Sequence, residues 1–163
     1  MFAEIVQSIR PVDAAARAVA TGRILVVDDI ATNRDLLARR LTNDGHQVTE
    51  AEGGKRALAL LAVEDFDLVL LDLMMPDMNG FEVLARMKAD ENLHRIPVIM
   101  ISALDEMDSV VRCIEAGAED YLPKPFDPVL LKARISAGLE KKQWLDRERL
   151  YLERLETEKE KYE

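Results

Sequence analysis

Residues 66–80 read FDLVLLDLMMPDMNG. The run Leu68–Leu71 is apolar without interruption, the pattern of a parallel strand buried on both faces rather than one with a wet side. It finishes on a single carboxylate, Asp72. Pro76, Asp77, Asn79 and Gly80 then supply turn chemistry. In an open parallel sheet, ligands bind outside the carboxyl ends of the strands. An acid in that position therefore asks what else arrives at the same edge.

Two further runs have the same character, Ile24–Val27 and Val98–Ile101, each about four residues long and rich in Val, Ile and Leu. Weaker strands fit Gln47–Ala51 and Asp120–Leu122, and Pro97 is tolerated because it opens its strand. Helix-period segments lie between them. Leu36, Leu37, Arg40 and Leu41 mark the first, which Gly45 closes as a C′ residue. Ala57, Leu58, Leu60 and Leu61 mark the second, and Phe81, Leu84 and Met87 the third. Val110, Val111, Ile114 and Gly117 mark the fourth, and a fifth begins near Asp127. Five strands alternating with five helices predict an α/β fold, a doubly wound parallel sheet with helices on both faces and right-handed crossovers. The domain spans residues 23–137. Residues 1–22 form an N-terminal extension whose alanines at 14, 15, 16, 18 and 20 suggest a short helix or a frayed lead-in, without assigned function.

The chain has 163 residues, enough for one domain and an appendage, and nearly half of them are hydrophobic. Its net charge of −9 argues against a domain that grips nucleic acid directly. The single cysteine, Cys113, excludes an internal disulfide and reads as a small buried apolar residue. No run approaches the roughly 18 apolar residues of a membrane span, and the N-terminal segment lacks a signal-peptide core. These features predict a cytoplasmic protein without membrane contact. His46 and His94 read as surface or loop residues, without the neighbours a metal site needs. The methionines, Met74, Met75, Met78, Met87 and Met100 among them, read as packing.

The strand ends carry the chemistry. ILVVDD places Asp28 and Asp29 past the first strand, LVLLD places Asp72, VIMIS places Ser102 at the end of the fourth, and YLPKP places Lys124 just after the fifth. Glu50 and Glu52, after the second strand, are left out of this set. Three clustered carboxylates raise one another's pKa values. A hard divalent cation relieves that cost, and oxygen-only ligands suit Mg²⁺. A lysine and a hydroxyl complete a site for a phosphoryl group arriving on a carboxylate. Blander roles exist. Asp28 and Asp29 can cap the next helix, Ser102 can cap the helix near Asp105, and Tyr121 can be static core.

Asp28-Asp29, Asp72, the MMPDMNG loop, Ser102-Ala103, Tyr121 and Lys124-Pro125 occur in order, each at a strand end. In this the chain resembles the receiver domain of two-component response regulators, over roughly 70% of its length. The resemblance implies a flavodoxin-like sheet of order 2-1-3-4-5. It implies Asp72 as phospho-acceptor and Mg²⁺ held by Asp28, Asp29, Asp72 and the backbone carbonyl of Met74. Lys124 contacts the phosphoryl group, Ser102 and Tyr121 are the switch residues, and Lys124-Pro125 is a cis peptide. The partner it implies is a histidine kinase or phosphotransfer protein. The domain then catalyses its own modification and is not otherwise an enzyme. In this family the residues two beyond the acceptor and two beyond the serine tune the phosphoryl lifetime. Here they are Met74 and Leu104, both apolar, which predicts slow self-dephosphorylation.

Two other functions compete. A pseudo-receiver would only dimerise, and the intact acid and lysine set speaks against it. An aspartyl-phosphate phosphatase resembles D-x-D after its first strand, whereas here the pair is adjacent and the acceptor lies on the third.

Residues 138–163 read as a helical linker that ends without a helix stop signal, as if truncated before an output domain. Within them, residues 140–163 hold 15 charged residues of 24 and no Gly or Pro. Such linkers resemble those leading into nucleotide cyclases or kinase modules, and the cyclase is the favoured output. Leu145, Leu152, Leu155 and Tyr162 share one heptad register, flawed by Glu148 and Lys159. That register predicts a parallel coiled-coil homodimer through the C-terminal helix. A single solvated helix laced with charge pairs is the alternative.

Overall fold

The computed structural model describes residues 20–103 and 107–162. The alanine-rich lead-in before residue 20 and Leu104 and Asp105 lie outside them. Among the described residues, five strands alternate with five helices. The strands are β1 (Arg23–Val27), β2 (Gln47–Ala51), β3 (Leu68–Asp72), β4 (Val98–Ala103) and β5 (Asp120–Lys124). The helices are α1 (Ala31–Asn43), α2 (Gly54–Val63), α3 (Gly80–Ala89), α4 (Met107–Glu115) and α5 (Pro128–Lys161). All strand pairs are parallel. Their order is β2-β1-β3-β4-β5, the order the resemblance implied.

The pleat of each strand divides the core. Leu25 and Val27, Val69 and Leu71, and Val98 and Met100 point to one face, where they pack under α2, α3 and α4. Ile24 and Val26, Leu68 and Leu70, and Ile99 and Ile101 point to the other, under α1 and α5. Every residue of β3 is buried, which is why its sequence carries no polar alternation. β5 is an edge strand, so Pro123 removes no ladder bond that a central strand would need. That strand runs two residues longer than the apolar pattern suggested and takes Lys124 into its end.

Helix ends follow from local chemistry. In α1 the N–H of Gly45 bonds the Thr42 carbonyl and that of His46 bonds the Leu41 carbonyl, with Gly45 at φ 95°. α4 repeats the arrangement through Gly117, at φ 108°, and Ala118. Both are Schellman closures in which glycine takes the left-handed position. On α4 the sheet side is Val110 and Cys113, while Val111 and Ile114 are exposed. Leu36 on α1 is likewise exposed. His46 departs from the sequence reading: it is a loop residue but buried, because its Nδ1 accepts the Gly22 N–H at 3.2 Å. Burial holds its pKa below the usual value, against the nearby charge of Asp44.

α5 opens with Asp127 as N-cap, its side chain accepting from the N–H groups of Val129 and Leu130, and Pro128 follows in the first turn. Gly138 is buried within α5. A Cβ there would come 2.6 Å from Leu68 Cδ1, so its absence lets the helix lie close on β3. The helix then continues unbroken for 34 residues in all, about 50 Å. Among the described residues, no helix is long and apolar enough to cross a membrane.

Candidate functional site

At the carboxyl edge of the sheet, Asp28, Asp29 and Asp72 each offer a carboxylate oxygen within 4.8 Å of the others. Asp72, the last residue of β3, is 3% exposed. The loop behind it explains the MMPDMNG sequence. Asn79 caps α3 by accepting the Glu82 N–H at 2.9 Å. The Gly80 N–H bonds the Leu73 carbonyl at 2.8 Å, and a Cβ on Gly80 would collide with the Asp72 carbonyl oxygen. Only glycine lets the chain turn that tightly against the residue bearing the acid. Asp77 ties the loop to the start of α2, taking the Lys55 N–H at 3.5 Å. Desolvation would raise its pKa, but bonds from the N–H groups of Met78, Lys55 and Gly54 hold it below the usual range.

The acid pair after β1 is not a helix cap. α1 starts after Ile30 without a side-chain cap. Asp28 Oδ1 accepts the Ile30 N–H at 2.9 Å, which fixes the turn and leaves Oδ2 for the pocket. Asp28 Oδ2 and Asp29 Oδ1 are buried without a hydrogen-bond partner among the described residues. Buried carboxylate oxygens are costly when unsatisfied, and these two beside the Asp72 carboxylate fit a hard, oxygen-seeking divalent cation.

Lys124 closes the site from the far side. Its Nζ donates to Asp72 Oδ1 at 3.1 Å and lies 3.5 Å from Asp28 Oδ2. Burial alone would lower its pKa, but the bond and charge of Asp72, with the charge of Asp28, hold it above the ordinary value. Burial pushes Asp72 in the opposite sense, from 3.8 up to about 6. Lys124 pulls it down, and the charges of Asp28 and Asp29 push it back up. The Lys124-Pro125 peptide is cis.

Ser102 is buried at the end of β4, in register with Pro123 one residue before Lys124. Tyr121 is half-buried, and its hydroxyl donates to the Ser102 carbonyl at 3.3 Å. Met74 follows Asp72 by two residues, and its side chain is exposed. The structure thus brings Asp28, Asp29, Asp72 and Lys124 together, with Ser102 and Tyr121 adjoining at the β4–β5 end. The sequence reading gave Asp77 only a turn role and missed Arg34, whose Nη1 donates to the Asp28 carbonyl at 2.8 Å. Neither stands at a strand end, and that was the signal by which the others were found.

The response regulator receiver domain family model matches residues 24–136. The chain belongs to the response regulator receiver domain family. Its receiver domain is that of a two-component response regulator and works in phosphorylation-based signalling. The chain is 45% identical over 115 residues to the response regulator PleD of Caulobacter vibrioides, covering 71% of this chain and 25% of PleD. It is 42% identical over 116 residues to the phosphate regulon transcriptional regulatory protein PhoB of Pseudomonas aeruginosa, covering 71% of this chain and 51% of PhoB. The chain thus spans between a quarter and a half of the length of these relatives. Among solved structures, it resembles the receiver domain of a signal transduction histidine kinase from Syntrophus aciditrophicus. That likeness has a TM-score of 0.69 at 33% identity and covers 73% of this chain and 90% of that one.

Proposed function

We propose that Asp72 receives a phosphoryl group from a histidine kinase or phosphotransfer protein and that the chain is a switch worked by that event. The observation that carries this reading is the ion pair of Lys124 with Asp72 inside a cluster of three carboxylates, at the edge of an otherwise apolar sheet. An Asp72 carboxylate oxygen attacks phosphorus in line. The new O–P bond forms as the P–N bond to the donor imidazole breaks, and that imidazole takes up a proton. Lys124 neutralises charge on the equatorial oxygens, and Ser102 supplies a hydroxyl donor once it swings toward them. Asp28, Asp29 and Asp72, with the Met74 carbonyl, would hold Mg²⁺, which neutralises phosphoryl charge when bound. Beside the pocket, Leu36, Arg40, Phe126 and Pro128 line an apolar groove between α1 and the start of α5, a surface suited to a helix of the donor protein.

The readout proceeds on the far side of Ser102. Tyr121 turns inward behind the moved serine and changes the face made by α4, β5 and α5, where Val111 and Ile114 are already exposed. The receiver occupies residues 23–137, and residues 138–163 form the linker. α5 starts at the site's edge and leaves the domain at the other end, where Leu139 packs near Gly22, just ahead of β1. Beyond it, Leu152, Leu155 and Tyr162 are exposed, and Trp144 and Tyr151, one position ahead of Leu145 and Leu152, widen the same stripe. Two copies pair there as a parallel coil in the cytoplasm and deliver two output domains side by side, for which a nucleotide cyclase is the favoured reading.

Incubation with acetyl phosphate and Mg²⁺ tests the switch. A stable gain of one phosphoryl mass supports it. No gain supports a dimerisation module, and continuous turnover supports a phosphatase.

A further inference from the structure

The Asp28–Asp29 turn is braced by a residue that belongs to no strand end. Arg34, in the first turn of α1, donates from Nη1 to the Asp28 carbonyl oxygen at 2.8 Å. Its Nε lies 3.4 Å from Oε1 of Glu50, the acid near the end of β2 that the strand-end reading set aside. The Arg34 side chain is only 19% exposed, that of Glu50 43%. Among the described residues, the guanidinium bonds no carboxylate of Asp28, Asp29 or Asp72, so it acts on the cluster through the main chain.

The Asp28 carbonyl belongs to the peptide that joins the two acids. Because that peptide is planar, fixing its oxygen fixes the directions in which the chain leaves toward both carboxylates. Two other bonds hold the segment: the Asp28 N–H to the Ala51 carbonyl at 3.2 Å and the Ile30 N–H to Asp28 Oδ1 at 2.9 Å. The Arg34 bond and the Ile30 bond to the Asp28 carboxylate are both charge-assisted, and such bonds are roughly twice as strong as neutral ones; the Arg34 bond is the one that reaches the turn from a side chain outside it. Lysine cannot replace it. The planar guanidinium presents Nη1 to the carbonyl and Nε to Glu50 at once, whereas an ammonium is a point charge on a flexible stem.

We infer that Arg34, braced by Glu50, is a positioning residue that presets Asp28 and Asp29 for a divalent cation and so sets the cation's affinity. This rests on the reading of the acid cluster as a Mg²⁺ site. Residues that orient metal ligands from behind change affinity by about ten- to a hundredfold when removed.

The test is calorimetric titration of the full chain with Mg²⁺, beside backbone amide spectra of the metal-free proteins. Arg34→Ala and Arg34→Lys should both weaken Mg²⁺ binding by about tenfold or more. Glu50→Gln, which keeps an oxygen acceptor without the charge, should weaken it less. In the metal-free variants the Asp29 and Ile30 amide signals should move, and raising Mg²⁺ should restore acetyl phosphate labelling of Arg34→Lys to the parental rate. A purely structural arginine would lower thermal stability and leave Mg²⁺ affinity unchanged, and equal affinities in parent and variants overturn the proposal. A parent that binds no Mg²⁺ overturns the metal-site reading and this proposal with it. Should Arg34→Ala fail to fold, Arg34→Lys and Glu50→Gln decide the question by the same criterion.

Discussion

Burial moves the Asp72 pKa from 3.8 to about 6 against the pull of Lys124, so the folded, metal-free protein holds that proton more tightly than the unfolded chain. Below pH 3.8 both states are protonated and the group has no effect. As pH rises from there through about 6, stability is lost, by roughly 3 kcal/mol from this one group. Asp72→Asn removes the charge and should flatten that slope. Urea denaturation should find the variant more stable than the parent above pH 6 without metal and close to it near pH 4. Gly80→Ala acts through space rather than charge. Its Cβ meets the Asp72 carbonyl, main-chain atoms that cannot step aside, so it should cost about 1–3 kcal/mol. Far-UV melting checks this, with a loss below about half a kcal/mol counting against the packing account. At this scale the sequence was legible wherever a polar residue ended an apolar run, as at Asp28, Asp72, Ser102 and Lys124. It was silent where a side chain works across a gap in sequence. Asp77 reaches back to the start of α2, and the imidazole of His46 is buried by a bond from Gly22, 24 residues away.

The elements were read from the same runs, whereas the strand order came only from the family resemblance, since right-handed crossovers allow several orders. What periodicity could not supply was the depth of a helix face. Val110, Val111 and Ile114 share helical spacing, yet only Val110 turns to the sheet, because the pair Val110 and Cys113 already covers that side. Gly138 shows the same limit: helix propensity speaks against a glycine there, but the close approach of Leu68 favours it. Its replacement sets two effects against each other. Gly138→Ala gains about 0.5–1 kcal/mol of helix propensity and overpacks a fully buried Leu68 at a cost of about 1–3 kcal/mol. Overpacking wins, so the variant should unfold at lower urea than the parent. A more stable variant would mean that the Leu68 side chain moves aside at little cost, so that helix propensity decides.

For the molecule as a whole, the site and the exposed helix stripe lie at opposite ends of α5. On the proposed reading, a signal made at Asp72 changes how two receivers sit on a shared coil. The proposed coil is short and would carry Glu148 and Lys159 in its seam, so its pairing should depend on concentration. Sedimentation should show a monomer–dimer equilibrium for the full chain and a monomer for a version ending at Leu139. Leu155→Lys, which puts a charge at an exposed seam position, should shift the full chain to monomer. If the parent stays monomeric at every concentration, with and without a phosphoryl mimic, the helix does not carry the dimer. All of this depends on Asp72 being the acceptor. The direct measurement is intact-protein and peptide mass spectrometry after incubation with acetyl phosphate and Mg²⁺, on the parent and on Asp72→Asn. The account predicts one phosphoryl group, on the peptide containing Asp72, and none on the variant. Equal labelling of the variant would contradict it.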